Sequence, residues 1–394
     1  MDDGHHTRGA GPGAAAGPQG GPEAVTALAE RWLPVVADSP GTTAAGGDFT
    51  VSPAGLWLAT GMLAAGAAGA TAAELRAVVG TAGEQAAPLL TEVRGALRAT
   101  DAVVSAAGFW ARAPLYRAFR EEVPEVEFGP VDAGLAERLD AWMARATDGM
   151  IPRSPVRPQP GTAVLLADVL ALTARWQDPF PPSATADAPF TDAAGGRTPV
   201  PVMWRTAPVA DAWHVAERSA TVVRLRCAGG PTAPGAEVRC VLGAPGAAAA
   251  EVLPAGWAPA TARSGLDADL VRVGLPRLEL TTTAELLPQL AALGARLLAG
   301  QGAEFPRLSP EPLFVDRAVQ QCVLSLAESG VRAAAATVMS MRFGSAPPAR
   351  PPRVETVLFD RPFGVVVLDG SGRLPMFTAW QATAPRSPAA AAAP

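Results

Sequence analysis

Nucleophilic catalysis needs a base beside a nucleophile, and this chain offers one base. Of its three histidines, His5 and His6 stand in a Gly/Ala/Pro-rich terminus, and only His214 lies in the body of the chain. A Ser–His or Cys–His pair has to use it, yet no Gly-x-Ser-x-Gly elbow occurs. Beside Trp213, His214 reads as an ordinary partly buried histidine. Cys227, Cys240 and Cys322 are widely spaced and lack Cys-x-x-Cys spacing, so they suggest no metal site. They read as buried thiols of a reducing compartment, with a Cys227–Cys240 disulfide as the less favoured alternative. Lysine is absent altogether. That excludes the P-loop, the protein-kinase strand lysine and the Schiff-base lysine of pyridoxal phosphate enzymes. The residues therefore assign no catalytic group, no metal and no cofactor.

What remains is a mechanical pattern. From Val331 the alternate positions separate by chemistry: Val331, Ala333, Ala335, Thr337, Met339 and Met341 carry no charge, whereas the intervening set contains Arg332 and Arg342. A period of two is how a strand presents one buried and one wet face. An alanine run favours helix by intrinsic propensity, so the segment is ambiguous by itself. Small side chains on both faces suit a strand that slides between two others, which makes this stretch a candidate switch between loop and inserted strand.

Composition bounds the rest. The chain has 394 residues, 49% of them hydrophobic, enough for one large domain or two small ones. A net charge of −5 with 18% charged residues argues against a nucleic-acid partner. No apolar stretch is long enough to span a membrane. The N-terminus lacks the basic region and apolar core of a signal peptide, so a cytoplasmic location is expected, with an unrecognised export route as the alternative. Lys and Asn are absent and Ile151 and Tyr116 are the only residues of their types. All four types have AT-rich codons, which points to a GC-rich genome such as that of an actinobacterium.

Along the chain, residues 1–22 and 386–394 are expected to be disordered ends, and 23–385 a single domain. A first helix is expected from Glu23 to about Leu33, with Val25, Leu28 and Trp32 on one face and Pro34 ending or kinking it. Phe49-Thr-Val reads as a strand, and Ser52-Pro53 opens a helix to about Ala65. Thr71-Ala-Ala-Glu74 reads as a capping box. Val271 to Leu280 alternates as one strand, and Leu286 to Leu293 reads as a short helix ended by Gly294. Phe363–Val367 and Leu374–Trp380 read as a hairpin. Helices dominate the first third and strands the remainder, so α+β is the class.

The hinge-like run Glu328-Ser-Gly330 followed by Ala333, Ala334, Ala335 and Ala336 resembles the reactive-loop hinge of the serpins, a family of protease inhibitors. Other motifs follow in the same order. Phe49-Thr-Val-Ser-Pro53, Gly66-Ala67 with Gly69, Thr71, Glu74 and Leu75, and Trp142 with Thr147, Gly149 and Ile151 are similar to family motifs. So are Trp176 with Asp178-Pro-Phe180, Pro189-Phe-Thr191, Val202-Met203, Leu275-Pro276 and Arg361-Pro-Phe363. The resemblance runs from about residue 25 to 384. It implies a serpin-like α+β fold with a large central mixed sheet, further sheets, about eight or nine helices and an exposed reactive loop near 328–353. The implied hinge is Glu328, Gly330, Val331, Ala333–Ala336 and Thr337, with Trp176 under the insertion point.

The resemblance also implies a mechanism. A trypsin-, chymotrypsin- or subtilisin-like serine protease attacks the loop of a monomeric inhibitor, and the cleaved loop inserts into the main sheet while the acyl-enzyme is still intact. The usual loop length counted from Gly330 puts the scissile bond near Gly344–Ser345, with Phe343, Arg342 and Met341 as neighbouring candidates. Two departures stand out. At the latch behind the sheet, Ser52 matches the family, but Gly55 replaces a serine, Asp168 an asparagine and Gln320 a histidine. Asp168 and Gln320 are expected to hydrogen-bond to each other. The loop is also longer than usual and stiffened by Pro347-Pro348 and Pro351-Pro352. Both departures keep open a non-inhibitory serpin acting as a binding protein or a protease substrate.

Overall fold

The structure, a computed structural model, describes residues 20–39, 47–123, 126–147, 149, 152–154, 157–158, 161–331 and 351–386. Helix α1 (Gly21–Ala37) starts two residues earlier than expected and buries Val25, Leu28 and Trp32 on one face. It runs through Pro34 because that residue sits in the last turn. Only one helical bond is forgone there, and the Pro34 carbonyl still accepts the Asp38 N–H at 3.2 Å. Helix α2 (Pro53–Gly66) opens at Ser52, whose Oγ accepts the Gly55 N–H, and is buried almost all round. Helix α3 (Gly69–Val79) is capped at Ala68 rather than Thr71. The two polar residues of the expected capping box work elsewhere. Thr71 Oγ1 accepts the Glu304 N–H, and the Glu74 carboxylate accepts the N–H groups of Arg296 and Leu297. Helices α4 (Ala86–Arg98), α5 (Arg117–Glu122), α6 (Leu135–Ala146), α7 (Ala249–Val252) and α8 (Leu286–Ala292) complete the set.

Among the described residues three sheets carry the strands. The first is antiparallel, in the order β1 (Phe49–Val51), β18 (Pro375–Gln381), β17 (Phe363–Leu368), β10 (Glu237–Leu242), β9 (Ala220–Arg226), β8 (Ala212–Val215), β11 (Ser264–Gly265). The expected C-terminal hairpin is β17–β18, and both of its strands are buried along their whole length. The second sheet runs β16 (Val354–Leu358), β12 (Leu270–Pro276), β7 (Arg197–Pro208), β6 (Ala186–Thr191). The third and main sheet runs β3 (Val126–Pro130), β2 (Val103–Ala111), β4 (Val164–Leu172), β14 (Arg317–Ala327), β15 (Gly330–Val331), β5 (Ala174–Arg175), with β13 (Leu278–Glu285) on the far side of β14.

The single strand expected over Val271–Leu280 is two strands in two sheets. Pro276 ends β12, and the chain crosses at Arg277 into β13. A proline offers no N–H to a ladder, so it suits a strand end.

Helix α2 packs against β4 of the main sheet, and its last residue, Gly66, packs tightly on Leu308 in the segment that precedes β14. A Cβ on Gly66 would lie 2.2 Å from Leu308 Cγ. Helix propensity favours alanine over glycine by up to about 1 kcal/mol, whereas overpacking a core costs about 1–3 kcal/mol. Gly66→Ala is therefore expected to destabilise the protein, read as a lower guanidinium midpoint. An unchanged or raised midpoint would mean that Leu308 moves freely.

Candidate functional site

Among the described residues the main sheet is open along its middle. Strands β4 and β14 are parallel and pair only at their lower ends, Leu165 with Arg317 and Leu166 with Ala318. Above that point no ladder joins Ala167–Leu172 to Val319–Ser325. At the top, β15 sits between them: Val331 pairs with Leu326 on one side and Ala174 on the other, and Gly330 with Ala327 and Arg175. The offset between the flanking strands is the same at both ends, since 317 minus 165 and 326 minus 174 both give 152. The two strands have been spread apart without slipping.

The head of this slot is pinned by several bonds. Trp176, buried, donates from its backbone N–H to Ser329 O at 3.0 Å and from Nε1 to Ala327 O at 2.8 Å. The Phe180 N–H donates to Glu328 O at 2.9 Å. The Glu328 carboxylate accepts from Thr185 Oγ1 at 2.7 Å and from Arg277 Nε at 2.9 Å, with a second short bond from the same guanidinium. Burial pushes the Glu328 carboxyl up, but the bonds from Arg277 and Thr185 together hold it below its usual range. Gly330 is required by space, since a Cβ there would lie 2.1 Å from Ala174 O.

Thus Glu328, Gly330, Val331 and Trp176 are brought together, while Ala333–Ala336, Thr337, Arg342, Phe343, Gly344 and Ser345 lie outside the described residues. Arg277 and Thr185 are participants the sequence reading missed. Pro276 inside an apparent strand was the available signal for a crossing at Arg277.

Behind the slot, the latch is wired differently from expectation. Gln320 does not bond Asp168. Its Oε1 accepts the Ser52 N–H at 2.8 Å and its Nε2 donates to Ser52 O at 3.0 Å, so the amide is fixed by one backbone unit. Ser52 Oγ donates to Met376 O at 2.7 Å and accepts from Gly55 N at 2.9 Å. Asp168 is half-buried as a residue, yet both its carboxylate oxygens are sealed from solvent and accept no hydrogen bond. Burial pushes its pKa up to about 7, against the pull of the Arg94 charge. A cavity of about 20 Å³ beside it is lined by Gly55, Thr60, Leu63, Asp168, Ala318 and Gln320. A Cβ on Gly55 would come within 3.0 Å of Asp168 Oδ1 and 3.1 Å of Gln320 Nε2.

His214 lies half-buried on β8, and its backbone carbonyl accepts from Ser264 Oγ at 3.3 Å. Cys227, Cys240 and Cys322 are free and buried, and burial pushes the first two thiols up to about 12. Among the described residues no group of three or more His, Cys, Asp or Glu could hold a metal, and no helix is long and apolar enough to cross a membrane.

A family model described as Serpin (serine protease inhibitor) matches residues 38–380, and the chain belongs to that family. Mouse alpha-1-antitrypsin 1-5 is 25% identical over 273 residues, 66% of this chain and 60% of that protein. The chain thus spans about 60% of the length of the curated relatives it matches. The serpin Serpin48 of the insect Tenebrio molitor superposes with a TM-score of 0.75 at 23% identity, covering 92% of this chain and 98% of that one. Human thyroxine-binding globulin superposes with a TM-score of 0.74 at 18% identity, covering 92% and 99%. These likenesses establish the fold that was expected. Relatives from mouse and an insect lend no support to an actinobacterial source.

Two outcomes follow from the hinge. Glu328→Gln takes the charged partner from Arg277 and is expected to cost about 1–2 kcal/mol, read as a lower denaturant midpoint at neutral pH. Because the folded carboxyl is held low, its contribution is present above the unfolded carboxylate pKa and lost as pH falls through the folded value. The gap between wild type and Glu328→Gln should therefore close in acid; a gap constant with pH would disprove the ion pair's role. Gly330→Ala should expel β15, seen as faster amide exchange at Val331. Unchanged protection there would mean that Ala174 yields.

Proposed function

We propose that this serpin inhibits a serine endopeptidase as a suicide substrate, by trapping the acyl-enzyme while the cleaved loop inserts into the main sheet. The observation that carries this reading is β15, already seated between β14 and β5 at the head of an in-register slot. Continuing its register sets Arg332 against Ser325 and Thr173, and each later residue one step further down both strands. Met341 then meets Val164, the first residue of β4. A cut after Met341, Arg342, Phe343 or Gly344 therefore frees a strand long enough to run the whole of β4. Insertion past Val338 has to displace the Leu165–Arg317 and Leu166–Ala318 rungs, which are the present floor of the slot.

The chemistry belongs to the protease. Its serine oxygen bonds to the scissile carbonyl carbon, and the C–N bond breaks. The new amine leaves with the segment that starts at the residue after the cut. The loop's N-terminal part stays esterified to the enzyme. Backbone groups of β4 and β14 that face the slot then gain partners from the inserting strand. The target is of trypsin-, chymotrypsin- or subtilisin-like specificity, according to which residue precedes the cut.

A serpin fold also serves non-inhibitory proteins, and thyroxine-binding globulin shares it. The deciding experiment mixes the protein with trypsin-, chymotrypsin-, elastase- and subtilisin-like enzymes on denaturing gels and weighs the released C-terminal peptide. Inhibition is expected to give a covalent band that survives SDS, with a peptide starting at Arg342, Phe343, Gly344 or Ser345. Clean cleavage by every enzyme, with no such band and no gain in thermal stability, would make the chain a binding protein or a substrate.

A further inference from the structure

Trp213 gathers positive charge that the fold does not balance. It lies buried on β8, with the guanidinium carbons of Arg224, Arg239 and Arg263 at 5.9, 5.5 and 4.6 Å from its ring centre. The register of the first sheet brings them there. Trp213 pairs with Val222, and Arg224, two residues on, shares that face of β9. Arg224 stands directly opposite Arg239 on β10, a cross-strand placement in which like charges repel. On the other side Gly265 of β11 pairs with Trp213, and Arg263, two residues before it, falls on the same face.

The carboxylates nearby are too few to neutralise this set. Asp211 accepts from Arg224 at 2.7 Å and from Arg226 at 2.9 Å, and Glu237 pairs with Arg239. Arg263 donates from both Nε and Nη2 to one carbonyl, Ala258 O, and among the described residues it has no carboxylate within ion-pair distance. Four guanidiniums thus meet two carboxylates, in a chain whose net charge is −5. Burial and then the Arg239 charge hold the Arg263 guanidinium below its usual value, with Glu237 opposing and Arg224 adding to the effect. The indole face offsets part of the cost of burying a cation. It does nothing for the repulsion between arginines, and its own Nε1–H is sealed without an acceptor.

Beside the cluster a cleft of about 280 Å³ opens between Arg224 and Arg263, walled by Trp213, Ala210 and Leu266, with no acidic side chain in its lining. Nη1 of Arg224 and Nη1 of Arg263 take no part in the bonds to Asp211 and Ala258, so each still has two hydrogens to donate. We propose that this cleft binds a small oxyanion, inorganic phosphate or sulfate, held between those two guanidiniums. A doubly charged anion supplies the missing negative charge, and the guanidinium fork matches the spacing of its oxygens. Bound there, it ties the segment around Arg263 to β8 and β9. The site is independent of loop insertion.

The test follows unfolding of the full-length protein in urea, an uncharged denaturant, with chloride, sulfate or phosphate at equal ionic strength. Wild type is expected to show a higher urea midpoint in sulfate and in phosphate, with a rise that saturates as the anion concentration increases. Arg263→Gln should abolish the saturating rise, whereas Arg117→Gln, at an exposed arginine of α5, should keep it. Both anions also strengthen burial in general through exclusion from the protein surface, and that effect grows without saturating. A rise of the same size and form in wild type and Arg263→Gln is this general effect and overturns the site, as does no rise in wild type. If Arg263→Gln fails to fold, calorimetric titration of sulfate into wild type at constant ionic strength decides. Saturable heat for one site supports the assignment, and its absence overturns it.

Discussion

The structure turns on one constraint: β4 and β14 run parallel through the middle of a sheet and are joined only at Leu165–Arg317 and Leu166–Ala318. Backbone N–H and C=O groups seek partners wherever they are withdrawn from bulk water. A central strand normally finds them on both sides, whereas among the described residues Ala167–Leu172 and Val319–Ser325 form ladders on their outer sides only, with β2 and β13. An in-register gap of this kind is a template for one more strand. It stays open because its top is wedged by β15 and its floor is held by the two rungs.

The wedge and the latch solve different problems. At the head, Glu328 is held by Arg277 and Thr185, and the turn into β15 by Trp176 and Phe180. These bonds fix where the hinge starts without filling the slot. Behind it, Gln320 grips both backbone groups of Ser52 and so ties β14 to the start of α2. Asp168 bears the cost of that arrangement: the amide that was expected to serve it is committed elsewhere, and burial of its sealed carboxyl pushes its pKa up to about 7. Arg94 reduces the penalty by its charge without bonding Asp168.

Much of the fold was legible in the sequence because its signals are local. The spacing of Val25, Leu28 and Trp32, the Ser52-Pro53 opening of α2, the Gly294 stop and the β17–β18 hairpin each depend on neighbours in the chain. The misreadings share a cause. Thr71 and Glu74 have the spacing of a capping box, but backbone donors at Arg296, Leu297 and Glu304 claim them. Val271–Leu280 alternates throughout, yet Pro276 divides it between two sheets. In both cases partners more than 200 residues away, or in another sheet, outcompeted the local pattern.

By itself, then, the sequence determined the family. The ordered motifs, from Phe49-Thr-Val-Ser-Pro53 to Arg361-Pro-Phe363, point to the serpins. Only the tertiary structure decided how the sheet and its hinge are set. The seating of β15, the constant offset across the slot, the Arg277–Glu328 pin and the choice of Ser52 over Asp168 by Gln320 all join segments far apart in the chain. Such contacts are fixed by which backbone groups and buried polar atoms compete for the same partner, and that competition exists only once the chain has folded.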